Sequence, residues 1–312
     1  MQANKIHGTF FEFHHHNTAE GKYWNPVIDK FQAVNWREKV REIAKLGMEY
    51  IVVMATALNE KCYFRSSVYP FADIPCQDPI EELLEEADQC DIKVFLGNGF
   101  YGEWEKASVN IVDEGVIGRS FRAMEELAAL YAHHKSFYGW YFPDEIRIYE
   151  RFSEEFVNYV NRCAEQCHLL TPQKKTLIAP YGTRFVQADD AYVRQLEFMD
   201  VDFIAYQDEV GVRKVKVEDT RASFEALKKA HDRAGRAKLW ADVEVFDFEG
   251  DVYKSALIPA PFDRVKTQLE NVAPFVDRIL VYQYLGLMNP PGSNSFAGHS
   301  TSKMLYEACK LL

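Results

Sequence analysis

The sequence predicts an α/β fold closed into a (β/α)8 TIM barrel, with residues 1–312 forming one domain. Three observations lead there. Strand-like and helix-like segments alternate eight times along the chain. Helix-to-strand links are tight, as in Gly47-Met48-Glu49 and Asp91-Ile92, whereas strand-to-helix links such as His14–Asn35, Thr56–Gln77, Gly97–Val112, Phe246–Pro261 and Gln283–Thr301 are long. Barrels build their active sites from long loops at one end, the C-terminal ends of the strands. No Gly-x-Gly-x-x-Gly follows the first strand, which weighs against an open dinucleotide-binding sheet.

Each element has a local reason. The first strand is expected near Ile6–Phe13, before a helix from Trp36 to Leu46 that Gly47 ends. The second strand, Tyr50–Ala55, leads to a helix over Pro79–Cys90, with Asp78 as N-cap and Pro79 in the first turn. Lys93–Leu96 is the third strand. The helix Asp113–His133 follows from apolar spacing at Val116, Phe121, Met124, Leu127 and Leu130-Tyr131. Ser136–Phe142 is apolar on both faces, the mark of a buried parallel strand, and Pro143 stops it. Ser153 caps a helix to about His168, and Thr176–Ala179 is the fifth strand. Helix Ala191–Phe198, strand Asp202–Tyr206, helix Thr220–Ala234 and strand Lys238–Val245 come next. Helix Phe262–Val272, strand Arg278–Tyr282 and helix Ser302–Leu311 complete the pattern.

Composition is that of a globular protein, 47% apolar and 27% charged. A net charge of −11 argues against nucleic-acid or anionic-membrane partners, which need a basic footprint. No apolar run approaches the length of a membrane span. Aromatic residues reach a high 14%; much of that is expected in the core, and some surplus is also what a sugar-stacking cleft needs. The six cysteines lack Cys-x-x-Cys spacing and have no histidine at zinc-ligand distance, so they read as reduced thiols. Met1–Lys5 has no apolar leader core, so the chain reads as cytoplasmic as it stands, or as periplasmic or secreted if a signal peptide has been removed.

The chemistry concentrates at the strand ends. The fourth strand runs into Asp144-Glu145, where a carboxylate pair is costly to leave desolvated. A cap of the next turn by Asp144 and an ion pair of Glu145 with Arg147 are the structural alternative to a catalytic acid. In Leu239-Trp240-Ala241-Asp242-Val243-Glu244, alternation points Trp240, Asp242 and Glu244 into the barrel. Asp242 serves either an internal hydrogen-bond network or a substrate. The sixth strand ends in Tyr206-Gln207-Asp208-Glu209, the eighth in Tyr282-Gln283 and the fifth in Pro180-Tyr181. The first runs into Glu12-Phe13-His14-His15-His16. His14 and His16 have the His-x-His spacing of metal-dependent amidohydrolases, but the fifth, sixth and eighth strand ends lack the other ligands of that pattern. Tyr101 and Trp104 are the aromatic candidates in the loop after the third strand, and Trp24 in the loop after the first.

This arrangement resembles the large clan of (β/α)8 glycosidases that carry an acid/base Glu after strand four and a nucleophilic Glu after strand seven. The stretches Gly139-Trp140-Tyr141-Phe142-Pro143-Asp144-Glu145, Tyr206-Gln207-Asp208-Glu209-Val210-Gly211 and Leu239-Trp240-Ala241-Asp242-Val243-Glu244-Val245-Phe246 also resemble an uncharacterised family of glycoside-hydrolase-like barrels common in gut Bacteroidetes. The resemblance spans nearly the whole chain. It implies a retaining glycoside hydrolase with Glu145 as acid/base and Glu244 as nucleophile, acting on a carbohydrate without metal or organic cofactor. Glu12, His14, His16, Tyr101, Trp104, Asp144, Tyr181, Gln207, Asp208, Glu209, Trp240, Asp242, Tyr282 and Gln283 are the expected substrate contacts. One departure stands out: the clan usually has Asn before the strand-four Glu, and this chain has Asp144. A non-catalytic carbohydrate-binding barrel and a metal-dependent sugar isomerase or epimerase are the rival readings.

Overall fold

The computed structural model describes residues 5–312, so residues 1–4 of the N-terminal stretch read above lie outside the described residues. Eight parallel strands close into a barrel: Gly8–Phe11, Tyr50–Val53, Lys93–Gly97, Phe137–Tyr141, Lys175–Ile178, Phe203–Gln207, Lys238–Glu244 and Arg278–Tyr282. They are called strands one to eight below. Strand one pairs with both strand two and strand eight, in the register Gly8 with Tyr50 and Gly8 with Leu280, and this seam closes the ring.

The helices form for the reasons visible in the sequence. Asp78 accepts a hydrogen bond from the Glu81 N–H at 3.0 Å, and Ser153 accepts one from Phe156 at 3.2 Å, so both expected caps are in place. The helix Glu114–Tyr131 buries Val116, Ile117, Ser120, Ala123, Met124, Leu127 and Tyr131, a stripe at three- and four-residue spacing that lies against the barrel. Among the described residues no helix is long and apolar enough to cross a membrane.

Two differences from the sequence reading concern the elaborated end. Strand one is shorter than expected because the chain leaves the ladder after Phe11. The long loops carry small hairpins of their own, Ala57–Leu58 with Lys61–Cys62 and Phe246–Phe248 with Leu257–Pro259. The second continues directly from strand seven and extends one wall of the barrel beyond its mouth.

The apolar core is divided by the sheet. Phe10, Tyr50, Phe95, Tyr141, Leu177, Trp240 and Leu280 fill the inside of the barrel, while Phe11, Val53, Trp140, Ala241 and Val243 face the helices. Trp240 packs on Phe203 with ring centres 4.4 Å apart and on Tyr50 at 5.0 Å. These rings plug the N-terminal half of the barrel interior.

Gly139 in strand four is required by this packing. A β-carbon there would lie 2.4 Å from the Lys175 carbonyl oxygen and 2.7 Å from the Phe95 ring, whereas one at Gly118, in an exposed helical position, would meet nothing. Gly139→Val is therefore expected to lower stability by about 2 kcal/mol or more. Gly118→Ala is expected to raise it by about 0.5–1 kcal/mol. Denaturant unfolding of the two variants beside the wild type checks both.

Candidate active site

A cavity of about 330 Å³ opens where strands four to eight end. Glu145 sits on its wall. The chain leaves strand four at Pro143 and turns tightly, the Glu145 N–H donating to the Pro143 carbonyl at 2.7 Å, which brings the carboxyl back over the barrel. The Tyr141 hydroxyl donates to one oxygen and the Gln207 amide to the other. Gln207 is itself fixed by the Ala179 carbonyl at 2.9 Å. Burial pushes the Glu145 carboxyl up to about 7; the two donors oppose the rise and the neighbouring Asp144 charge adds to it. Neither element of the structural alternative holds. Asp144 is bonded by Asn110 at 2.9 Å and Tyr159 at 3.1 Å, and Arg147 lies over the Phe185 ring.

Glu244, at the end of strand seven, lines the same cavity and accepts a hydrogen bond from the Val212 N–H at 2.8 Å. Behind it is Asp208. One Asp208 oxygen accepts from the backbone N–H groups of Val210 and Glu244, each at 3.2 Å, and the other from the Gln268 amide at 2.6 Å. Gln268 also donates to the Glu244 carbonyl at 3.0 Å, so one side chain ties the two acidic positions together. Arg264 reaches the carbonyls of Glu244 and Phe246. Burial raises both acids, Asp208 to about 6, and Glu244 is lifted well above the usual carboxylate range by burial and then by the Asp208 charge. The two interact closely enough to titrate as a pair.

Two more acids lie between and beside these. Asp242 is deeper in the barrel, also facing the cavity, and its Oδ1 has no hydrogen-bond partner. Burial raises it well above the ordinary range, with Glu145, Glu244 and Asp208 adding repulsion. Glu209 adopts a left-handed backbone conformation with φ of 54° and accepts from the Gly182 N–H at 2.9 Å, which pins the strand-six loop to the strand-five loop.

The opposite wall is built around His15, which is wholly buried. Its Nδ1 meets Glu12 at 2.6 Å and its Nε2 meets Glu20 at 3.0 Å. Burial disfavours the imidazolium, but the two carboxylates prevail and hold His15 at about 9. Glu12 also accepts from Gln283 at 2.7 Å and Trp24 at 3.3 Å. His16 has the opposite fate: burial and then the His15 charge push it down to about 3, and its neutral ring packs against Trp104 with centres 4.3 Å apart.

Of the residues expected from the sequence, Glu145, Glu244, His16, Trp104, Tyr181, Gln207, Glu209, Asp242 and Tyr282 line the cavity. The others lie outside its wall. Glu12 and Gln283 are bonded to each other behind His15, and His14 is held by Asp29 at 2.7 Å and Asn25 at 3.1 Å. Tyr101 is buried against Thr56 and stacks on Tyr69. Asp144 and Asp208 are turned into the scaffold by the partners named above. Trp240 belongs to the plug beneath the floor. The cavity also takes in residues that the sequence reading did not single out: Glu20, Phe100, Lys214, Phe246, Phe248 and Tyr253. Phe246 and Phe248 continue the alternation of strand seven and were within reach of that argument. Lys214, with its ammonium 5.2 Å from the Tyr181 ring centre, comes from a loop with no periodic signal.

Among the described residues, two groups of three gather possible metal-ligand atoms within 4.8 Å: Glu12, His15 and His16, and Glu81, His133 and His134. Both ring nitrogens of His15 and of His134 already face carboxylates. The cavity acids Glu145, Asp242 and Glu244 are spread around the space and do not converge as such a group.

The sequence matches the family described as a domain of unknown function, DUF4434, over residues 6–295. The chain belongs to the DUF4434 family. No curated protein matches the sequence. Among solved structures, the DUF4434 barrel is similar to a Bacteroides thetaiotaomicron protein provisionally assigned as an α-L-fucosidase, at 18% identity and a TM-score of 0.77, over 98% of this chain and 92% of that one. It is also similar to an endo-β-1,4-mannanase from Thermotoga petrophila, at 11% identity and a TM-score of 0.61, over 98% and 76%. A β-galactosidase from Halorubrum lacusprofundi aligns at 11% identity and a TM-score of 0.63, over 98% of this chain and 57% of the longer one. At such identities the likeness establishes the shared TIM-barrel fold.

The raised Glu145 carboxyl gives a signed expectation. The unfolded group titrates near 4.5 and the folded one near 7, so the native DUF4434 barrel binds the extra proton. The group weighs nothing against folding below pH 4.5, and its penalty grows until it is complete above pH 7. Glu145→Gln is therefore expected to gain about 2–3 kcal/mol of stability relative to the wild type between pH 4.5 and pH 8. Urea unfolding of both proteins across that range checks the sign, because lost hydrogen bonds offset both ends equally.

Proposed function

We propose that the chain is a glycoside hydrolase that works by a retaining, two-carboxylate mechanism, with the barrel as a single domain supplying both groups. The observation that carries the reading is Glu145: a cavity-facing carboxyl held near 7, on a wall shared with the second acid, Glu244. A general acid must be protonated at working pH yet able to release its proton, and a value near neutrality meets both needs. The families of the similar barrels include named glycosidases, which supports the assignment of a carbohydrate substrate.

In this reading the glycosidic oxygen lies against Glu145 and takes its proton as the bond to the anomeric carbon breaks. Tyr141 and Gln207 keep the carboxyl aimed and stabilise the carboxylate left behind. The Asp208–Glu244 pair supplies the second group. Positive charge developing at the anomeric carbon favours the pair's negative charge on Glu244, the member that faces the cavity. Glu244 then forms the glycosyl ester, and Glu145 activates the water that cleaves it. The hydrogen bond from Val212 and the scaffold of Gln268 and Asp208 hold Glu244 in place. Trp104, Tyr181, Phe246 and Phe248 supply apolar surface for the sugar faces.

Glu244→Gln should cost about three orders of magnitude or more in kcat on an aryl glycoside the wild type hydrolyses. Glu145→Gln should spare substrates with good leaving groups and hurt those with poor ones, and should erase the alkaline limb of the rate profile near pH 7. Wild-type rates in both variants would make these carboxyls structural and the protein a carbohydrate-binding barrel.

A further inference from the structure

The least explained group in the cavity is Asp242. Its residue is 2% exposed, and Oδ1 is buried with no donor in the protein. A buried carboxyl lacking its hydrogen bond costs about 1–3 kcal/mol, more if charged. Apart from the exposed Glu105, every other acid around this space has a protein donor: Tyr141 and Gln207 for Glu145, Val212 for Glu244, Gly182 for Glu209, Asn17 for Glu20. Asp242 is also placed by the rigid part of the fold. It sits within strand seven, its backbone paired in register with Leu280 and Gln207, directly above the Trp240 plug. A loop residue can shed an unmet bond by moving, but a residue inside a barrel strand cannot.

The charges that face it narrow what can fill the gap. Glu20, Glu105, Glu145, Glu209 and Glu244 share the cavity with Asp242, against a single lysine, Lys214. Lys214 lies over the Tyr181 and Tyr253 rings, at 5.2 and 5.5 Å. Among the described residues the one histidine on the wall, His16, is pushed down to about 3 and stays neutral. A ligand bringing its own carboxylate or sulfate to the floor would add negative charge where there is no cation to receive it. A ligand bringing hydrogen-bond donors and no negative charge would complete Asp242. Glu145, Asp242 and Glu244 are too widely placed for one metal ion to satisfy them together.

We propose that Asp242 is the specificity-determining contact for the sugar at the cavity floor, accepting a hydroxyl of a neutral glycone and turning away acidic sugars. The inference rests on the glycosidase reading for the identity of the ligand as a glycone. Glu145 and Glu244 flank the bond to be cleaved, so the sugar between them reaches down to Asp242, whose carboxyl selects the ring that places a donor there. A site built to bond a substrate hydroxyl discriminates strongly against the analogue that lacks it, because the buried acceptor is then left bare.

The test uses the full chain and the aryl glycoside that the wild type cleaves best, with its singly deoxygenated analogues and the matching uronide. Wild-type kcat/KM should fall about 100-fold or more for one deoxy position, and the uronide should be neither cleaved nor a competitor. In Asp242→Ala the preference for that one hydroxyl should collapse to less than about threefold, while preferences at the other positions persist. Thermal unfolding gives a second readout independent of turnover. Because Asp242 is unsatisfied in the free protein, Asp242→Asn should melt at or above the wild-type temperature, whereas a structural aspartate would melt lower. An unchanged deoxy preference in Asp242→Ala, a wild type that favours the uronide, or a clear loss of melting temperature in Asp242→Asn overturns the inference. If no glycoside is cleaved at all, the glycosidase reading fails instead. The melting comparison and calorimetric titration of the corresponding free sugars into wild type and Asp242→Ala then decide Asp242 alone: equal binding by both proteins overturns its role.

Discussion

Repulsion among buried carboxyls at the ends of strands six and seven governs this end of the molecule. Asp208 and Glu244 are both raised by burial, and the Asp208 charge raises Glu244 further, with the Arg264 charge opposing the rise of both. Such a pair is tolerable only with hydrogen bonds to spare, and the chain provides them from distant elements. Two backbone N–H groups and Gln268 take the Asp208 oxygens, while Val212 takes Glu244. Gln268 comes from the helix Phe262–Val272, so that helix cannot shift without unseating both acids. The electrostatics of the cavity and the packing of the outer ring are therefore one problem. Breaking a link in this network leaves a buried acid bare, which costs more than the bond itself contributes.

The interior plug explains why the acids are where they are. Trp240, Phe203, Tyr50 and Phe95 close the N-terminal half of the barrel with aromatic contacts. Tyr141 spans the boundary: its ring packs edge-on to Phe10 at 5.4 Å and its hydroxyl reaches Glu145. A side chain that belongs to the apolar core thus aims a group at the cavity. Groups held this way are positioned by barrel closure rather than by loop conformation, which suits chemistry that tolerates little misplacement.

Much of this was legible in the sequence, and the division follows from physics. Period-two alternation put Asp242 and Glu244 on the inner face of strand seven, and the structure keeps them there, because a one-residue slip would drive Ala241 and Val243 out of the helix-facing core. Pro143 ended strand four as its missing N–H requires. Alternation cannot say how deep a residue lies, so Trp240, on the same face as Asp242, became part of the plug rather than the wall. Nor can it see long-range hydrogen bonds. Asp208 looks like a residue emerging at the mouth until Gln268, sixty positions later, turns it inward. The histidine run misled for the same reason. His15, which the spacing argument passed over, is the one that pairs with two carboxylates, because Glu12 and Glu20 reach it from either side.

That histidine gives the cavity its electrical asymmetry. The imidazolium of His15 is buried behind the wall formed by strands one and eight, flanked by Glu12 and Glu20, so that part of the wall carries one positive and two negative groups in close array. On the side of strands four, six and seven the acids have only neutral donors. Burial and mutual repulsion raise Glu145, to about 7, and lift Asp242 and Glu244 well above the usual carboxylate range. One cavity thus has a side where acids meet a buried cation and a side where acids crowd against one another. The crowded acids are the ones that strands four and seven present to the space above the plug, where shifted carboxyls suit proton exchange with a ligand.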